Sequence, residues 1–386
     1  RNLSSSYTGS VVEVRRSSDG ALRSFTAAEV SNGTLLAWVN ADVDKLDLQA
    51  ESGGLIGNVT NETATGFDFS VNNGGSTGFK FLLPSANTGN GSYDITFDVQ
   101  LNSGSLTGCS ITNNNQPDSY DQQTLASGSN TFPAIVTIGT GGLYFRIDAT
   151  AVADVSITNL TLTQTSADGN VSKWYDQSGN DEHAVQLDAA RQPKIVNAGV
   201  LLNKITFDGV NDYMDIAGLT TLSNPFTYIQ VVTLDGRNSF HPAVDGIDVL
   251  GDRVITGNGS GSLADTLYAG IDGIVASSVV TATALRSYFF RGDASSQYYR
   301  NGISVAQGDV GSNTPSSGIR IAADHDLSGP NYAAIEMQEF IIYNSDQSDK
   351  RRAIEENIGS NYGITLTSPK DGTVSKWYDQ STTSGV

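Results

Sequence analysis

VSKWYDQSGNDEHAVQLDAARQPKIVNAGVLLNKITFDGVNDYMDI, residues 171–216, is the stretch around which the chain is organised. It opens on a WYDQSG turn, runs into a strand at Lys204–Phe207, and ends in an acidic, glycine-containing corner, Asp208-Gly209-Val210-Asn211-Asp212. Its first eight residues, VSKWYDQS, recur without change at Val374–Ser381. An octapeptide does not repeat by chance, so the sequence carries one module and the start or remnant of another at 367–386. The chain opens without an initiator Met in what reads as the middle of a module, and a processed or partial product of something longer is the expectation.

Composition sets the class. The 386 residues are 38% hydrophobic and 16% charged, with 41 glycines. Gly, Ser, Thr, Asn and Asp supply positive φ or local side-chain hydrogen bonds, so this profile predicts many short strands joined by tight turns. A net charge of −19 repels phosphate backbones and anionic lipid, which speaks against nucleic-acid or membrane-surface partners. It suits Ca²⁺ or neutral sugars, in solution outside the cell. The single cysteine, Cys109, excludes an intramolecular disulfide framework. The three histidines, His183, His241 and His325, are scattered, which does not indicate a zinc centre. No run of eighteen apolar residues exists, so no membrane-inserted helix is expected.

Outward from the opening stretch, Val12, Val14 and Arg16 alternate with Val11, Glu13 and Arg15, a strand followed by the turn Ser17–Gly20. Ala27–Asn40 reads as a short helix interrupted at Asn32-Gly33. From 53 to 168 the texture changes to strand-like runs divided by Gly/Asn/Ser clusters. There Tyr93, Ile95, Phe97, Val99 and Leu101 alternate strictly with Asp94, Thr96, Asp98 and Gln100, the period of a half-buried strand. This segment is read as an inserted β-sandwich, with 1–52 and 169–366 forming one discontinuous sandwich around it. A second strand series fills 204–343, and the one long helix is expected over Asp346–Ile358, capped by Ser345 or Ser348, closed by Gly359, and packed through Ala353, Ile354 and Ile358. Arg291-Gly292-Asp293 reads as a hairpin end.

The order ITFDGVNDYMDI (205–216), YYRNGISVA (298–306), IRIAADHD (319–326), AIEMQEFIIYNSDQS (334–348) and a closing helix resembles laminin-G/concanavalin A-like lectin–glucanase domains. SSSYTGSVVEVRRSSDG (4–20) with the WYDQSG turn is similar to the catalytic sandwich of the fungal α-L-arabinofuranosidase B family, and to modules of phage tail fibres and marine bacterial surface proteins. The resemblance implies an all-β fold: a concanavalin A-like jelly-roll sandwich, an inserted smaller sandwich of carbohydrate-binding-module type, and one short C-terminal helix. It also implies that Trp174 lies in the core, with Asp176 and Gln177 bonding backbone. From the arabinofuranosidases only Asp324 carries over, as the acid/base, because Ala322-Ala323-Asp324 matches the place of that family's Gly-Gly-Asp turn. A retaining glycosidase needs a second carboxylate roughly 5 Å away. No counterpart of the family's nucleophile glutamate stands between Asp235 and Thr266, and its vicinal cysteine pair is missing.

Asp324-His325-Asp326 is accordingly the candidate ligand contact, for sugar or for Ca²⁺. Asp208, Asn211 and Asp212 form a second acidic loop with the oxygen donors a hard cation requires, set against the plainer reading that they satisfy their own turn. Tyr120, in the polar loop 113–123, is the expected sugar-facing residue of the insert. The function expected from these residues is a non-catalytic glycan-recognition or structural module of a virion fibre or cell-surface appendage. Its partners would be extracellular or cell-surface glycans and, through homo-oligomers, other virion or surface proteins. No cofactor is expected beyond Ca²⁺. A purely structural fibre component and an extracellular glycoside hydrolase of arabinofuranosidase type are the alternatives.

Overall fold

The computed structural model describes residues 2–3 and 6–40, the strands and many turns between 57 and 164, and 167–367 apart from short loops. Within these the protein is all-β, in large antiparallel sheets with three α-helices, of which one is longer than two turns. None of those helices is long and apolar enough to cross a membrane. Tyr120, Cys109 and the second VSKWYDQS copy lie outside the described residues.

The chain divides into two compact units, Arg1–Phe207 and Asp208–Val386, so the break falls inside the opening stretch, between its strand and its acidic corner. The first unit begins with β1 (Ser10–Arg16) and β2 (Leu22–Thr26), then two short helices, α1 (Ala27–Ser31) and α2 (Thr34–Val39). Asn32 and Gly33 do interrupt the helical stretch, with Gly33 at φ 86°. Thr26 and Glu29 cap α1 reciprocally, each side chain accepting the other's backbone N–H.

Nine strands follow: β3 (Gly57–Thr63), β4 (Gly66–Val71), β5 (Ser76–Phe81), β6 (Gly91–Gly104), β7 (Ser110–Asn113), β8 (Gln122–Thr124), β9 (Gly128–Thr137), β10 (Leu143–Asp148) and β11 (Ala153–Gln164). Among the described residues they pair only with one another, in one sheet of order β3-β4-β11-β6-β9 and another of order β5-β10-β7-β8. The period-two reading of β6 holds where its side chains are described. Phe97 and Val99 are buried, while Asp98 receives the Ser129 hydroxyl and the Asn159 amide at the surface. The chain then returns as β12 (Gly169–Trp174), which pairs antiparallel with β1 from Val12↔Trp174 to Arg16↔Gly169. Ser17 and Asp168 fasten that return: the Ser17 N–H donates to the Asp168 carbonyl and the Asp168 N–H to the Ser17 hydroxyl. β13 (Ala184–Val185), β14 (Lys194–Asn197) and β15 (Val200–Thr206) complete the unit.

Two residues of the WYDQSG turn behave as the resemblance implies. Asp176 accepts N–H groups from Ser178, Asn180 and Glu182, and Gln177 accepts the Leu3 N–H. Trp174 departs from the expectation. It is half-buried rather than in the core: it ends β12 between Val12 of β1 and Ala184 of the next strand, and Val12, Val14 and Val171 fill the interior instead.

The second unit holds two antiparallel sheets. Its strands are β16 (Met214–Ala217), β17 (Phe226–Thr233), β18 (His241–Gly246), β19 (Ile255–Asn258), β20 (Asp265–Tyr268), β21 (Ile274–Val275), β22 (Ala284–Phe290), β23 (Gln297–Arg300), β24 (Ile303–Gln307), β25 (Gly318–Ile321) and β26 (Glu336–Tyr343). Their pairings give the orders β24-β23-β22-β17-β26 and β16-β25-β18-β19-β20-β21. β17 is buried along both faces. Its Ile229 and Val231, with Leu285 of β22, pack against the closing helix α3 (Arg351–Tyr362) through Ile354 and Ile358. On the opposite face Gln230 donates to Thr256 of β19, so side chains of the two sheets meet there.

α3 starts five residues later than the sequence suggests, after a 3₁₀ turn at Ser348–Lys350 whose first N–H is taken by Asp346. It ends at Gly363, in the left-handed region at φ 65°, not at Gly359, which lies under Leu366. Ala353 is exposed, and Glu355 is buried along with Ile358, accepting the Ser287 hydroxyl and the Arg351 guanidinium. Arg291–Asp293 forms the expected hairpin end between β22 and β23, with Arg291 paired to Asp346 at 2.6 Å.

Candidate functional site

β25 lies between β16 and β18, and register decides what meets there. Asp215 of β16 faces Arg320, which in turn faces Asp245 of β18. Directly opposed residues share a face of a sheet, so the three form one Asp–Arg–Asp row. The flanking positions Met214, Ile216, Ile319, Ile321 and Val244 point the other way and are buried. Arg320 binds Asp215 through two parallel bonds of 2.8 and 2.9 Å, the bidentate geometry a guanidinium favours, and its remaining nitrogen donates to the carbonyls of Asp324 and His325. The Arg320 guanidinium also stands 5.0 Å over the ring of Tyr213, whose centroid is 6.4 Å from that of Tyr332.

The loop after β25 closes over this row. Ala322 adopts φ 67°, a conformation a non-glycine residue takes only when its surroundings hold it. What holds it is the Ala322 N–H on the Ala243 carbonyl and the Ala322 carbonyl under the Ala333 N–H. The bend returns Asp324 toward β18. There its Oδ1 accepts the His325 N–H and Arg253 Nη2 and contacts His325 Nδ1, and its Oδ2 accepts the Asn331 amide. Arg253 bridges the two carboxylates, at 2.8 Å from Asp245 and 2.9 Å from Asp324, with the ring of Phe240 5.1 Å beneath it. Gly246 makes this approach possible. A Cβ on Gly246 would lie 2.0 Å from the Asp252 carbonyl, so only glycine lets the segment carrying Arg253 press against β18.

The two carboxylates are pushed apart in acidity. Burial raises Asp245, whose side chain has no exposure, to about 6, against the opposing pull of Arg253 and the Gly246 N–H. Burial also works on Asp324, but the His325 ring and N–H, Arg253 and Asn331 outweigh it and hold that carboxyl below its usual range. Asp245, Asp324 and His325 are the only trio of metal-ligating groups that converge among the described residues. The positive charge between the two carboxylates is the Arg253 guanidinium.

Of the residues singled out by sequence, Asp324, His325 and Asp326 thus come together in one loop, and Asp326 is the most exposed of the three. Asp208, Asn211 and Asp212 form a turn closed on itself: Asp208 Oδ1 accepts the N–H groups of Val210, Asn211 and Asp212, and Asp212 Oδ2 accepts that of Asp208. Sequence reasoning missed Asp215, Arg320, Asp245, Arg253, Tyr213 and Tyr332. The alternation in YMDI and GIRI marks Asp215 and Arg320 as facing away from the core, but nothing local pairs them.

No family model matches the chain, and no curated protein matches it. Among solved structures, Trypanosoma rangeli sialidase in complex with a difluoro-KDN compound is 14% identical over 51% of this chain, with a TM-score of 0.36; the match spans 32% of that chain. The same sialidase in complex with sialic acid is 11% identical over 83% of this chain and 54% of its own, again at 0.36. The N-terminal CBM22 tandem domain of Paenibacillus barcinonensis Xyn10C is 9% identical over 78% of this chain and 96% of its own, at 0.20. At these scores the likenesses carry no argument about activity, and none of the three is a concanavalin A-like or laminin-G-like protein.

Proposed function

We propose that the protein is a non-catalytic glycan-recognition module whose contact surface lies over the Asp215–Arg320 pair and residues 324–327. One observation carries this reading. A bidentate carboxylate–guanidinium pair, with Asp215 30% exposed, adjoins two half-buried tyrosines, Tyr213 and Tyr332. Aromatic faces suit the apolar side of a pyranose, and fixed polar groups beside them orient its hydroxyls. This reading invokes no Ca²⁺, because the Arg253 guanidinium already stands between Asp245 and Asp324. The concanavalin A-like sandwich of 1–52 and 169–366, a place on an extracellular or virion appendage, and homo-oligomeric or surface-protein partners belong to the same reading and rest on the sequence.

A glycan-array screen of the full chain, with and without chelator, tests it alongside Tyr213→Ala and Asp324→Ala. Binding that survives chelation and is lost in Tyr213→Ala supports the assignment. Binding abolished by chelator moves the site to a cation-dependent loop, and no binding to any glycan leaves a structural fibre component as the better account.

The proximity of Asp245 and Asp324, with ligand atoms within 4.8 Å, favours a second reading as a glycoside hydrolase. Against it, Asp245 has no exposed side-chain surface and both carboxylates are clamped by one guanidinium. Release of reducing sugar from polysaccharide by the wild type, absent in Asp245→Asn, would establish hydrolysis and overturn the non-catalytic reading.

A further inference from the structure

The row that begins at Asp215 does not stop at Asp245. Val244 of β18 pairs with Thr256 of β19, and Thr256 turns inward to Gln230 of the other sheet. Alternation along both strands then puts Asp245 and Ile255 on the outer face. Ile255 pairs in turn with Tyr268 of β20. One cross-strand row therefore runs Asp215, Arg320, Asp245, Ile255, Tyr268 over β16, β25, β18, β19 and β20. With neighbouring strands about 4.8 Å apart, the row spans about 19 Å.

Half-buried aromatic side chains stand at three places along it. At one end Tyr213 lies under the Arg320 guanidinium, with Tyr332 beside it. In the middle Phe240 stacks on the Arg253 guanidinium, which is bound to Asp245. At the other end stands Tyr268. The position beside it is Gly273, where a Cβ would lie 3.2 Å from the Tyr268 Cβ, so glycine there keeps that flank clear of a side chain. The charges of the row are matched within it: Arg320 is spent on Asp215, and Arg253 on Asp245 and Asp324. With these guanidinium side chains only 8% and 17% exposed, neither is left to bind an acidic sugar. What reaches solvent is aromatic surface and the acceptor oxygens of Asp215, the chemistry that suits the apolar face and the hydroxyls of a neutral pyranose. A single ring cannot reach both Tyr213 and Tyr268. On the glycan-recognition reading, we infer that this face binds a neutral, extended pyranose chain laid across the strands. Tyr213 and Tyr268 stack on its two ends, and the span of about 19 Å takes about four units.

Isothermal titration calorimetry of the full chain with β-1,4-linked glucose, xylose and mannose oligomers of two and four units tests this. In at least one series the tetramer should bind about tenfold tighter than the dimer or better. Tyr268→Leu, which keeps apolar bulk but loses the aromatic face, should erase that gain. A dimer bound as tightly as the tetramer, or a gain that survives Tyr268→Leu, overturns the extended site and leaves glycan recognition standing. The same holds if no oligomer binds while the glycan array does show binding. No binding in either experiment removes both. Should Tyr268→Leu not fold, the wild-type comparison of dimer with tetramer decides.

Discussion

The second unit contains two buried arginine–aspartate centres, built to different ends. Between its sheets, Arg286 donates to Asp265 at 2.9 Å and to the carbonyls of Val232 and Val280, while the hydroxyls of Tyr288 and Tyr298 also reach Asp265. Burial works against the Arg286 charge, but Asp265 outweighs it and the guanidinium is held above its ordinary range. Burial and the same carboxylate push both tyrosines up. Both of these side chains are fully buried, and the partly exposed Arg300 approaches the same carboxylate at 3.8 Å, so two cations meet one anion. Around Arg253, by contrast, one cation meets two anions, and the surrounding Asp215 and Asp326 reach solvent. A centre whose one anion is fully matched and buried holds the sheets together. An unbalanced centre under a loop can respond to a proton or to a ligand.

Breaking the Arg286–Asp265 centre should cost most. Arg286→Ala would leave the buried Asp265 with only the more distant Arg300, a loss of about 3–5 kcal/mol, read as a drop in the denaturant midpoint or as loss of folding. Arg253→Ala should be milder, since Asp245 can take up a proton. Equal losses in the two variants would erase the distinction drawn here.

The next effect is a pH dependence confined to the unbalanced centre. The Asp245 carboxyl titrates at about 6 in the folded chain against an ordinary value of 3.8. The stability its neutral form contributes is therefore present at low pH and lost as pH rises through about 6. Wild-type unfolding free energy should fall by up to about 3 kcal/mol between pH 4 and 7 relative to Asp245→Asn. Parallel profiles for the two proteins would assign the proton elsewhere.

Smaller effects sharpen the contrast at α3. Ser287→Ala removes the hydroxyl donor to buried Glu355, and about 1–2 kcal/mol of chemical stability should go with it. Arg352→Ala breaks an exposed pair one turn from Glu356 and should change the same midpoint by less than about 0.5 kcal/mol. A larger change for Arg352 than for Ser287 would mean that burial does not rank these contacts.

The sequence was legible wherever structure is local. The bonds of Asp176 and Asp208 run to backbone no more than six residues away, and such Asx turns follow from residue type and spacing. The interruption at Asn32-Gly33, the alternation of β6 and the turn that carries Asp324 were readable for the same reason. The end of α3 was not, because whether Gly359 or Gly363 stops the helix depends on Leu366 packing over the former. Nor was the burial of Glu355, which a helical pattern of apolar residues assigns to the outside, until Ser287 and Arg351 are seen to bond it.

By itself, then, the sequence determined an acidic all-β protein of short strands and self-satisfied turns, with a polar loop at 324–326. Only the tertiary structure decided which charges meet. Asp215 and Arg320 stand 105 residues apart, and Arg253 and Asp324 stand 71. Strand register brings the first pair together, and a glycine-dependent approach with a strained bend brings the second. Register and approach are set by the packing of apolar faces across whole sheets, and no local pattern of residues encodes them.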